Sequence, residues 1–535
     1  MSYHYIHNFL KNKFKLLIIF LIMIASCSKP TDNKLSFKVN IGGEPASLDP
    51  QLDDGSTGEI QGQLFLGLVI GDSKTGGYKP GLAHSWDISD DGLIYTFYLR
   101  EGLVWSDGVP ITAEGIRKSY LRVLNKETAA PYVNIIKSTV KNAQDYFDSN
   151  VSDSELGVKA INDKTLEITL TNPKPYFLDM LVNQIFVPVP VHAIEKYGSN
   201  WTNPENMVVS GPFKLKEKVL NEKLVLGKND KYYDAKNVAL EELVLLTIDN
   251  NTILYNMYLN NEIDGLFHSI PPDTLANIEL REDHYRHRNN TIGFFSFNTT
   301  VKPLDNPKVR EALTLAIDRE LTSKTFNKGK AEPTRNLTPP LEHYSYGKEL
   351  TLFDPKRAKQ LLAETGYPDG KDFPTLTISI SMVPYQKKMG EFIQNQWKEM
   401  LNINIQVQTQ EWSILSQNRK NGNYEIAITG RIADFNDPLS FLNIFTSENS
   451  HLASYKYSNK KYDDLIKQSD FEQDPIKRRD ILRKAEEIIV EKDFPIAPTY
   501  IYVGNYLFRN DKWTGWTPNL FNRHNLHELK PIKNS

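Results

Sequence analysis

The sequence predicts an α/β protein of two or three domains, and three observations support this. The chain of 535 residues is longer than a single domain usually is. Hydrophobic residues make up 40% of it and charged residues 24%, a balance that is typical of a folded, soluble protein. Between residues 354 and 429, strand and helix patterns alternate, which predicts a parallel sheet covered by helices.

Residues 1–26 predict an export signal. Three lysines precede an apolar run of about ten residues, and small residues follow it. The run is too short for a transmembrane helix, which needs about 20 apolar residues. The quartet "IASC", which ends at Cys27, resembles the bacterial lipobox, in which the cysteine is lipidated and becomes the first mature residue.

Cys27 is the only cysteine of the chain, so no disulfide can form within it. The lipobox resemblance implies two lipid groups on this residue, which suffice for stable membrane anchoring. The alternative is an ordinary secretory signal with an incidental cysteine. We therefore expect an extracytoplasmic protein that is lipid-anchored to a bacterial membrane. We expect the periplasmic side of the cytoplasmic membrane, with the outer membrane as the alternative.

The charge of the chain argues against a nucleic-acid partner. The net charge of −3 includes three lysines and no acidic residue within positions 1–26. Loss of that segment leaves about −6, whereas nucleic-acid binding favours a basic surface.

Residues 82–115 predict a β-hairpin followed by a helix. Apolar and polar residues alternate after an Asp-Gly turn, which is typical of a hairpin strand. A helix is predicted to begin near Thr112, because Ile116, Tyr120 and Leu124 follow at helical spacing.

In the second half, three predicted helices open on Asp or Asn followed by Pro, which suit the cap and the first helical position. They lie at residues 306–320, 354–366 and 474–489. The predicted strands are 375–380, 403–409 and 424–429, with helices at 385–401 and 411–420 between them.

The segment after the third of these strands is the candidate ligand site, because ligands of such sheets bind at the carboxyl ends of the strands. Gly430 allows a sharp turn or a close approach of a ligand. Asp434 follows the predicted strand by five residues and is a candidate ligand carboxylate. A loop aspartate is also commonly solvated or capping, and Asp437 before Pro438 is predicted to cap the next helix.

Catalytic and metal-binding signatures are incomplete or missing from the sequence. A stretch that begins like a calcium loop, "DISDDG", has Tyr98 where a bidentate Glu is required. No zinc-helix spacing, nucleophile elbow or phosphate-binding glycine loop is present. The sequence therefore indicates neither an enzyme nor a cofactor nor a metal site.

Five blocks of sequence follow one another in an order that is typical of one protein family. They are residues 82–115, 210–215, 298–320, 354–370 and 411–442. These blocks resemble the bacterial extracellular solute-binding proteins of the oligopeptide type, which supply peptide-importing ABC transporters. The resemblance covers nearly the whole mature chain. It implies a two-lobed periplasmic-binding-protein fold of the α/β class, with an additional α+β domain and a hinge between the lobes.

The resemblance also implies the domain boundaries. Lobe I would be discontinuous and lobe II continuous, with the extra domain between two segments of lobe I. The implied ranges are 28–62, 186–295 and 499–535 for lobe I, 63–185 for the extra domain and 296–498 for lobe II.

The resemblance implies the peptide-binding residues as well. Asp434 matches the family aspartate that binds the peptide α-ammonium. Gly430 and the loop that contains Asp54, Gly55 and Ser56 match positions whose main chain pairs with the peptide.

Three further matches each have an alternative interpretation. Trp412 matches a pocket tryptophan but could instead serve helix packing. Arg419 matches an arginine near the pockets but could instead lie on the surface. Tyr500 would line the hinge side or simply fill the sheet.

Two positions depart from the family pattern. Ile428 and Arg431 stand where well-studied members carry an arginine and a tryptophan. We hypothesise that Arg431 binds a carboxylate or an acidic side chain of the ligand.

The implied function is that of a monomeric receptor that binds oligopeptides and delivers them to an ABC permease. The same scaffold also serves other solutes, so a nickel chelate, haem, a sugar oligomer or an opine is an alternative ligand. A surface adhesin that binds a partner on its outer face is a second alternative.

Overall fold

The computed structural model describes residues 34–53, 58–267, 270–271, 274–327, 331–341, 343–382, 384–452 and 455–532. The predicted export signal and Cys27 lie outside the described residues. So do Asp54, Gly55 and Ser56 of the predicted peptide-contacting loop.

A mixed sheet of eleven strands is the largest among the described residues. Its strands are β1 (Ser36–Asn40), β8 (Phe213–Val219), β9 (Lys223–Lys228), β10 (Glu242–Leu246), β11 (Gly265–Leu266), β12 (His284–Phe297), β13 (Ala331–Pro333), β14 (Leu376–Ser381), β15 (Ile405–Gln410), β16 (Ile426–Ile432) and β17 (Ile496–Phe508). The spatial order is β15-β14-β16-β12-β17-β11-β1-β10-β9-β8, and β13 pairs with β17. We call the part from β11 to β8 the first lobe and the part from β15 to β16 the second lobe.

Strands β12 and β17 join the two lobes. They have 14 and 13 residues and pair antiparallel along most of their length. The register shifts between Arg288 and Ile292 and again between Gly293 and Phe294. The interrupted ladder makes this the natural place for the lobes to bend relative to each other. The predicted crossings at 295/296 and 498/499 fall within these strands, while the domain boundaries stay a prediction.

The first lobe packs helices against its sheet. These helices are α1 (Gly58–Leu64), α6 (Val191–Tyr197), α7 (Asn251–Leu259) and α8 (Leu275–Ile278). Two short ribbons accompany them, β2 (Val69–Gly71) with β3 (Tyr78–Pro80) and β18 (Trp513–Thr514) with β19 (Lys530–Pro531).

A separate four-stranded sheet forms the extra domain. Its strands are β4 (Ala83–Ile88), β5 (Ile94–Leu99), β6 (Val158–Asn162) and β7 (Thr165–Thr169), and its helices are α2 (Ala113–Val123), α3 (Val133–Lys137), α4 (Ala143–Phe147) and α5 (Phe177–Met180). The predicted hairpin is confirmed, since Tyr95, Phe97 and Leu99 of β5 are buried. The predicted helix start is also confirmed, because the Thr112 hydroxyl accepts the Gly115 N–H at 3.1 Å.

The second lobe has the predicted parallel sheet, in which β14 pairs in parallel with both β15 and β16. Its helices are α9 (Pro307–Leu315), α10 (Arg319–Thr322), α11 (Pro355–Glu364), α12 (Pro384–Leu401), α13 (Trp412–Asn421), α14 (Leu439–Leu442), α15 (Ser447–Leu452), α16 (Lys460–Phe471) and α17 (Pro475–Glu487). Asn306, Asp354 and Asp474 cap α9, α11 and α17 as predicted.

The third strand of this sheet is longer than the sequence pattern predicts. Strand β16 continues through Thr429 to Ile432. Gly430 and Arg431 therefore lie within the strand rather than in the loop that follows it, and Asp434 comes two residues after the strand end. The continuation is explained by pairing with β12, which supplies partners from Thr291 to Phe297.

The second-lobe core lies between the sheet and helices α9, α11 and α12. Trp397 of α12 is fully buried there, and its Nε1 donates to the Leu313 carbonyl at 2.9 Å. Among the described helices, none combines the length and the apolar character that a membrane span requires.

Candidate functional site

An open cavity of about 1000 Å³ lies between the lobes. Three of its lining segments, within residues 61–77, 179–187 and 519–527, belong to the first lobe and the extra domain. The fourth, residues 434–436, follows β16 of the second lobe. Because both lobes contribute, movement of one lobe against the other would change the size of this cavity.

Asp434 is the predicted site residue that lines the cavity. Its side chain is 30% exposed, and its Oδ2 accepts a hydrogen bond from Nη2 of Arg431 at 2.5 Å. The Asp434 N–H donates to the Ser440 hydroxyl at 2.6 Å, and Nε of Arg431 donates to the Ser440 carbonyl at 2.7 Å. These contacts fix the carboxylate at the cavity wall and keep it partly accessible to a ligand.

Arg431 lies within β16, next to the cavity segment that contains Asp434. Its guanidinium contacts a carboxylate of the protein itself, Asp434, rather than pointing alone into the crevice. A direct contact of Arg431 with a ligand carboxylate stays a prediction.

The strand beside Asp434 has an unpaired edge. Strand β14 pairs with β16 only at Ile426 and Ala427, so residues 428–432 have no strand partner on that side within the described chain. On the other side, a Cβ atom at Gly430 would lie 2.8 Å from the Ile292 carbonyl oxygen. Glycine is therefore needed for close packing against β12, and the opposite edge is free to pair with an extended ligand.

An arginine that the sequence reasoning missed lines the same cavity. Arg523 belongs to the C-terminal segment of the first lobe and is half-buried. Burial lowers the pKa of its guanidinium, and the negative charges of Asp434 and Asp53 oppose that change. The cavity therefore brings together a carboxylate of the second lobe and a guanidinium of the first.

An aromatic contact joins the extra domain to the second lobe next to Asp434. The rings of Tyr176 and Phe435 stack with centroids 5.3 Å apart and an interplanar angle of 9°. The Tyr176 hydroxyl donates to Asp470 at 3.0 Å, and Arg478 lies 5.2 Å from the centre of the same ring. This contact holds residues 434–436 against the extra domain.

Asp437 lies just before α14, whose N-cap is Pro438 rather than the predicted Asp437, and its side chain has two partners. Its Oδ1 accepts the Leu439 N–H at 2.9 Å at the start of α14. Its carboxylate also forms a buried two-bond ion pair with Arg478, at 2.7 and 2.9 Å.

The other predicted site residues do not line this cavity in the part of the chain that the structure describes. Trp412 is 58% exposed at the start of α13, so it is not packed in a core. Arg419 is 7% exposed, which excludes the surface alternative, and its guanidinium lies 5.6 Å from the centre of the Tyr455 ring. Tyr500 is buried in the sheet, where its ring covers Gly293 of β12. Their contact with a peptide stays a prediction.

Within the described ranges, no group of three or more His, Cys, Asp and Glu side chains is placed to hold a metal ion. The arrangement around the cavity is suited to binding charged and hydrogen-bonding groups of a ligand, with a free strand edge beside a carboxylate.

Comparison with known proteins identifies the family. The model for bacterial extracellular solute-binding proteins, family 5 Middle, matches residues 77–451. The periplasmic oligopeptide-binding protein OppA of Salmonella typhimurium is 33% identical over 494 residues, which cover 89% of this chain and 88% of the relative. The chain belongs to family 5 of the bacterial extracellular solute-binding proteins. The resemblance of the five sequence blocks is thereby confirmed.

Solved structures agree with the family assignment. A periplasmic oligopeptide-binding protein, OppAIV of Borrelia burgdorferi, is 57% identical with a TM-score of 0.80, and the match covers 93% of this chain and all of that one. The unliganded open form of the murein tripeptide-binding protein MppA is 29% identical with a TM-score of 0.81, over 93% and 98% of the two chains. The predicted two-lobed fold with an additional domain is confirmed, and the relatives are named as binding proteins.

The cavity wall of this family 5 protein also contains a titratable residue, His527, that no sequence pattern indicated. His527 is half-buried, and burial lowers its pKa to about 4. At neutral pH its ring is therefore uncharged, so Arg523 supplies the positive charge of that wall.

The pKa of His527 predicts a pH-dependent stability. An unfolded histidine titrates near pH 6.5, so between about pH 6.5 and 4 the unfolded chain binds more protons than the folded one. This contribution to stability is complete above about pH 6.5 and is lost as the pH falls to about 4. We expect a loss of about 3 kcal/mol over that range, measured by urea unfolding at a series of pH values. His527→Gln should flatten this part of the profile, and equal slopes for both proteins would contradict the assignment.

Proposed function

We propose that this protein is a lipid-anchored extracytoplasmic receptor that binds oligopeptides between its lobes and delivers them to an ABC permease. The observation that carries the proposal is the carboxylate of Asp434, held at the wall of the interlobe cavity beside an unpaired strand edge. A peptide offers the two matching features, a terminal ammonium and a hydrogen-bonding main chain.

The ammonium is the more demanding of the two groups. A charged group that leaves water needs a charged, hydrogen-bonding partner, and loss of one partner of a buried pair costs about 3–5 kcal/mol. Within the described chain, Oδ2 of Asp434 accepts from Arg431, and no protein donor contacts Oδ1. Oδ1 is therefore available to accept a hydrogen bond from a ligand ammonium.

The main chain of the peptide would extend along the free edge of β16. Strand addition provides main-chain hydrogen bonds that do not depend on side-chain identity, which suits a receptor for many sequences. Closure of the lobes about β12 and β17 would then enclose the peptide, with Gly430 and the loop of Asp54, Gly55 and Ser56 as the proposed main-chain contacts.

The remaining proposed contacts surround this path. Trp412 would provide an apolar wall, because its large exposed side chain lies at the carboxyl end of the sheet. Arg419 and Tyr500 are proposed to support the pockets from within the fold. Family membership and the lipobox-like quartet at Cys27 support the permease partner and the lipid anchor.

Titration with peptides tests the proposal directly. The mature chain without its lipid should give a saturable change in intrinsic fluorescence with a pool of tri- to hexapeptides, since seven tryptophans report on the closure of the lobes. Mass spectrometry of co-purifying ligand distinguishes the alternatives. A nickel chelate, haem, a sugar oligomer or an opine in the protein, together with no response to peptides, would overturn the proposal.

A further inference from the structure

Two charged side chains, Asp434 and Arg523, line the cavity at the proposed ammonium site, and each has charged neighbours. Asp434 and Arg431 form an ion pair at 2.5 Å on the second lobe. Arg523 faces the same cavity from the first lobe, and the charges of Asp434 and buried Asp53 act on it. Two carboxylates thus stand against two guanidinium groups, so their formal charges balance before any ligand binds.

Two further carboxylates line the cavity but belong to a different part of its wall. Asp72 follows β2 and accepts the Lys74 N–H at 2.9 Å. Asp179 lies in α5, where burial and this carboxylate together raise the pKa of Tyr78. Neither is among the groups whose charge acts chiefly on Arg523.

A bound peptide changes the charge balance of the four side chains Asp434, Arg431, Arg523 and Asp53. Its α-ammonium adds one positive charge next to Asp434, and no protein group in the set of four removes the excess. The first side chain of the peptide leaves from the same carbon atom as the ammonium, so it enters the part of the cavity where Asp434 pairs with Arg431 and where Arg523 lines the wall. A carboxylate on that side chain restores neutrality and gains a guanidinium partner, which is a favoured pairing.

We propose that Arg431 and Arg523 are specificity-determining residues, which make the protein prefer peptides whose first residue is acidic. The inference rests on the proposed function, because it assumes that a peptide amine binds at Asp434. Under this proposal, Arg523 contributes to ligand selection. The acidic group that Arg431 recognises is then the side chain of the first peptide residue, next to the free amine.

The test compares three alanine-based tetrapeptides that differ only in the first residue, which is Glu, Gln or Lys. Isothermal titration should give about tenfold tighter binding for the Glu peptide than for the Gln peptide, and about tenfold weaker binding for the Lys peptide. Glu and Gln have the same shape, so the first ratio isolates the charge. Higher salt should reduce both ratios, because part of the site is open to solvent.

Variants assign the preference to the residues. R431Q should bring the Glu/Gln ratio close to one, while R431K should retain most of it. R357Q is the matched control, because Arg357 is 42% exposed on α11 and pairs with Glu364 away from the cavity. R523Q should lower the ratio as well, with its folding checked by thermal unfolding.

The outcomes separate the two proposals. Equal affinity of the wild-type protein for the Glu, Gln and Lys peptides would overturn the inference and leave the peptide-binding function standing. An unchanged Glu/Gln ratio in R431Q would overturn the role of Arg431. If none of the three peptides binds to the wild-type protein, the proposed function itself fails.

Discussion

Asp434→Ala is expected to weaken peptide binding by at least about a hundredfold. The substitution removes the proposed partner of the ligand amine and leaves Arg431 and Arg523 without their shared carboxylate. Their positive charges would then repel the ammonium, so the loss should reach about 3–5 kcal/mol, which corresponds to roughly a hundredfold or more. Isothermal titration with a free-amine tetrapeptide gives the affinity.

Two further variants make this result specific. Asp434→Asn keeps the size and hydrogen-bonding geometry of the side chain but loses the charge, and it should be nearly as weak as the alanine variant. Asp464→Ala is the control, because Asp464 is 64% exposed on α16 and pairs with Lys460 at 3.2 Å. Wild-type affinity in Asp434→Asn would show that charge at this position is not what binds the peptide.

Arg319→Met is expected to destabilise the second lobe by about 3–5 kcal/mol. The Arg319 side chain is 1% exposed and bonds main-chain carbonyls rather than a carboxylate. The carbonyl partners are those of Thr314, Ile317, Thr334, Leu352 and Pro498. Methionine fills much of the volume but donates no hydrogen bond, so several buried acceptors lose their partner. Because Pro498 lies in β17, the loss also reaches the strand that joins the lobes.

The measurement must report the stability of the second lobe separately, because a protein of several domains need not unfold in a single step. Native-state hydrogen exchange of the β14 and β16 amides reports the opening of the second lobe alone. Arg357→Met is the matched control at an exposed position of α11 and should change the free energy of exchange by no more than about 0.5 kcal/mol. Equal protection of these amides in Arg319→Met and the wild type would contradict the role of Arg319.

Helix starts and the strand β5 could be predicted because the residues that indicate them are close together in the sequence. Asn306, Asp354 and Asp474 each precede a proline, and each caps the helix that the pattern predicts. The alternation in β5 marks one buried face, and the structure buries that face. Each of these features depends on residues within a few positions of one another, which a sequence pattern records directly.

The candidate site was only partly predictable because it depends on contacts between distant segments. The end of β16 was misplaced, since its last residues are held in the sheet by β12, more than a hundred positions earlier in the sequence. Arg523 was missed because it lies in a loop without periodic pattern or motif, and only the fold brings it to the cavity of Asp434.

Asp434 shows how the family resemblance and the structure complement each other. A single aspartate after a strand is a weak signal, since aspartates near a helix start, such as Asp437, give the same pattern. The resemblance selected Asp434, and the structure places it at the cavity between the lobes, with Arg431 as its ion-pair partner. The partner of Asp434 is therefore known from the structure alone.

Blocking the amino end of the ligand tests the central claim most directly. One tetrapeptide is titrated into the wild-type protein twice, first with a free amine and then with the amine acetylated, under the same buffer and salt. If the chain captures peptides by their leading ammonium at Asp434, the free peptide binds at least about a hundredfold tighter than the acetylated one. Equal affinity for both forms would contradict the account.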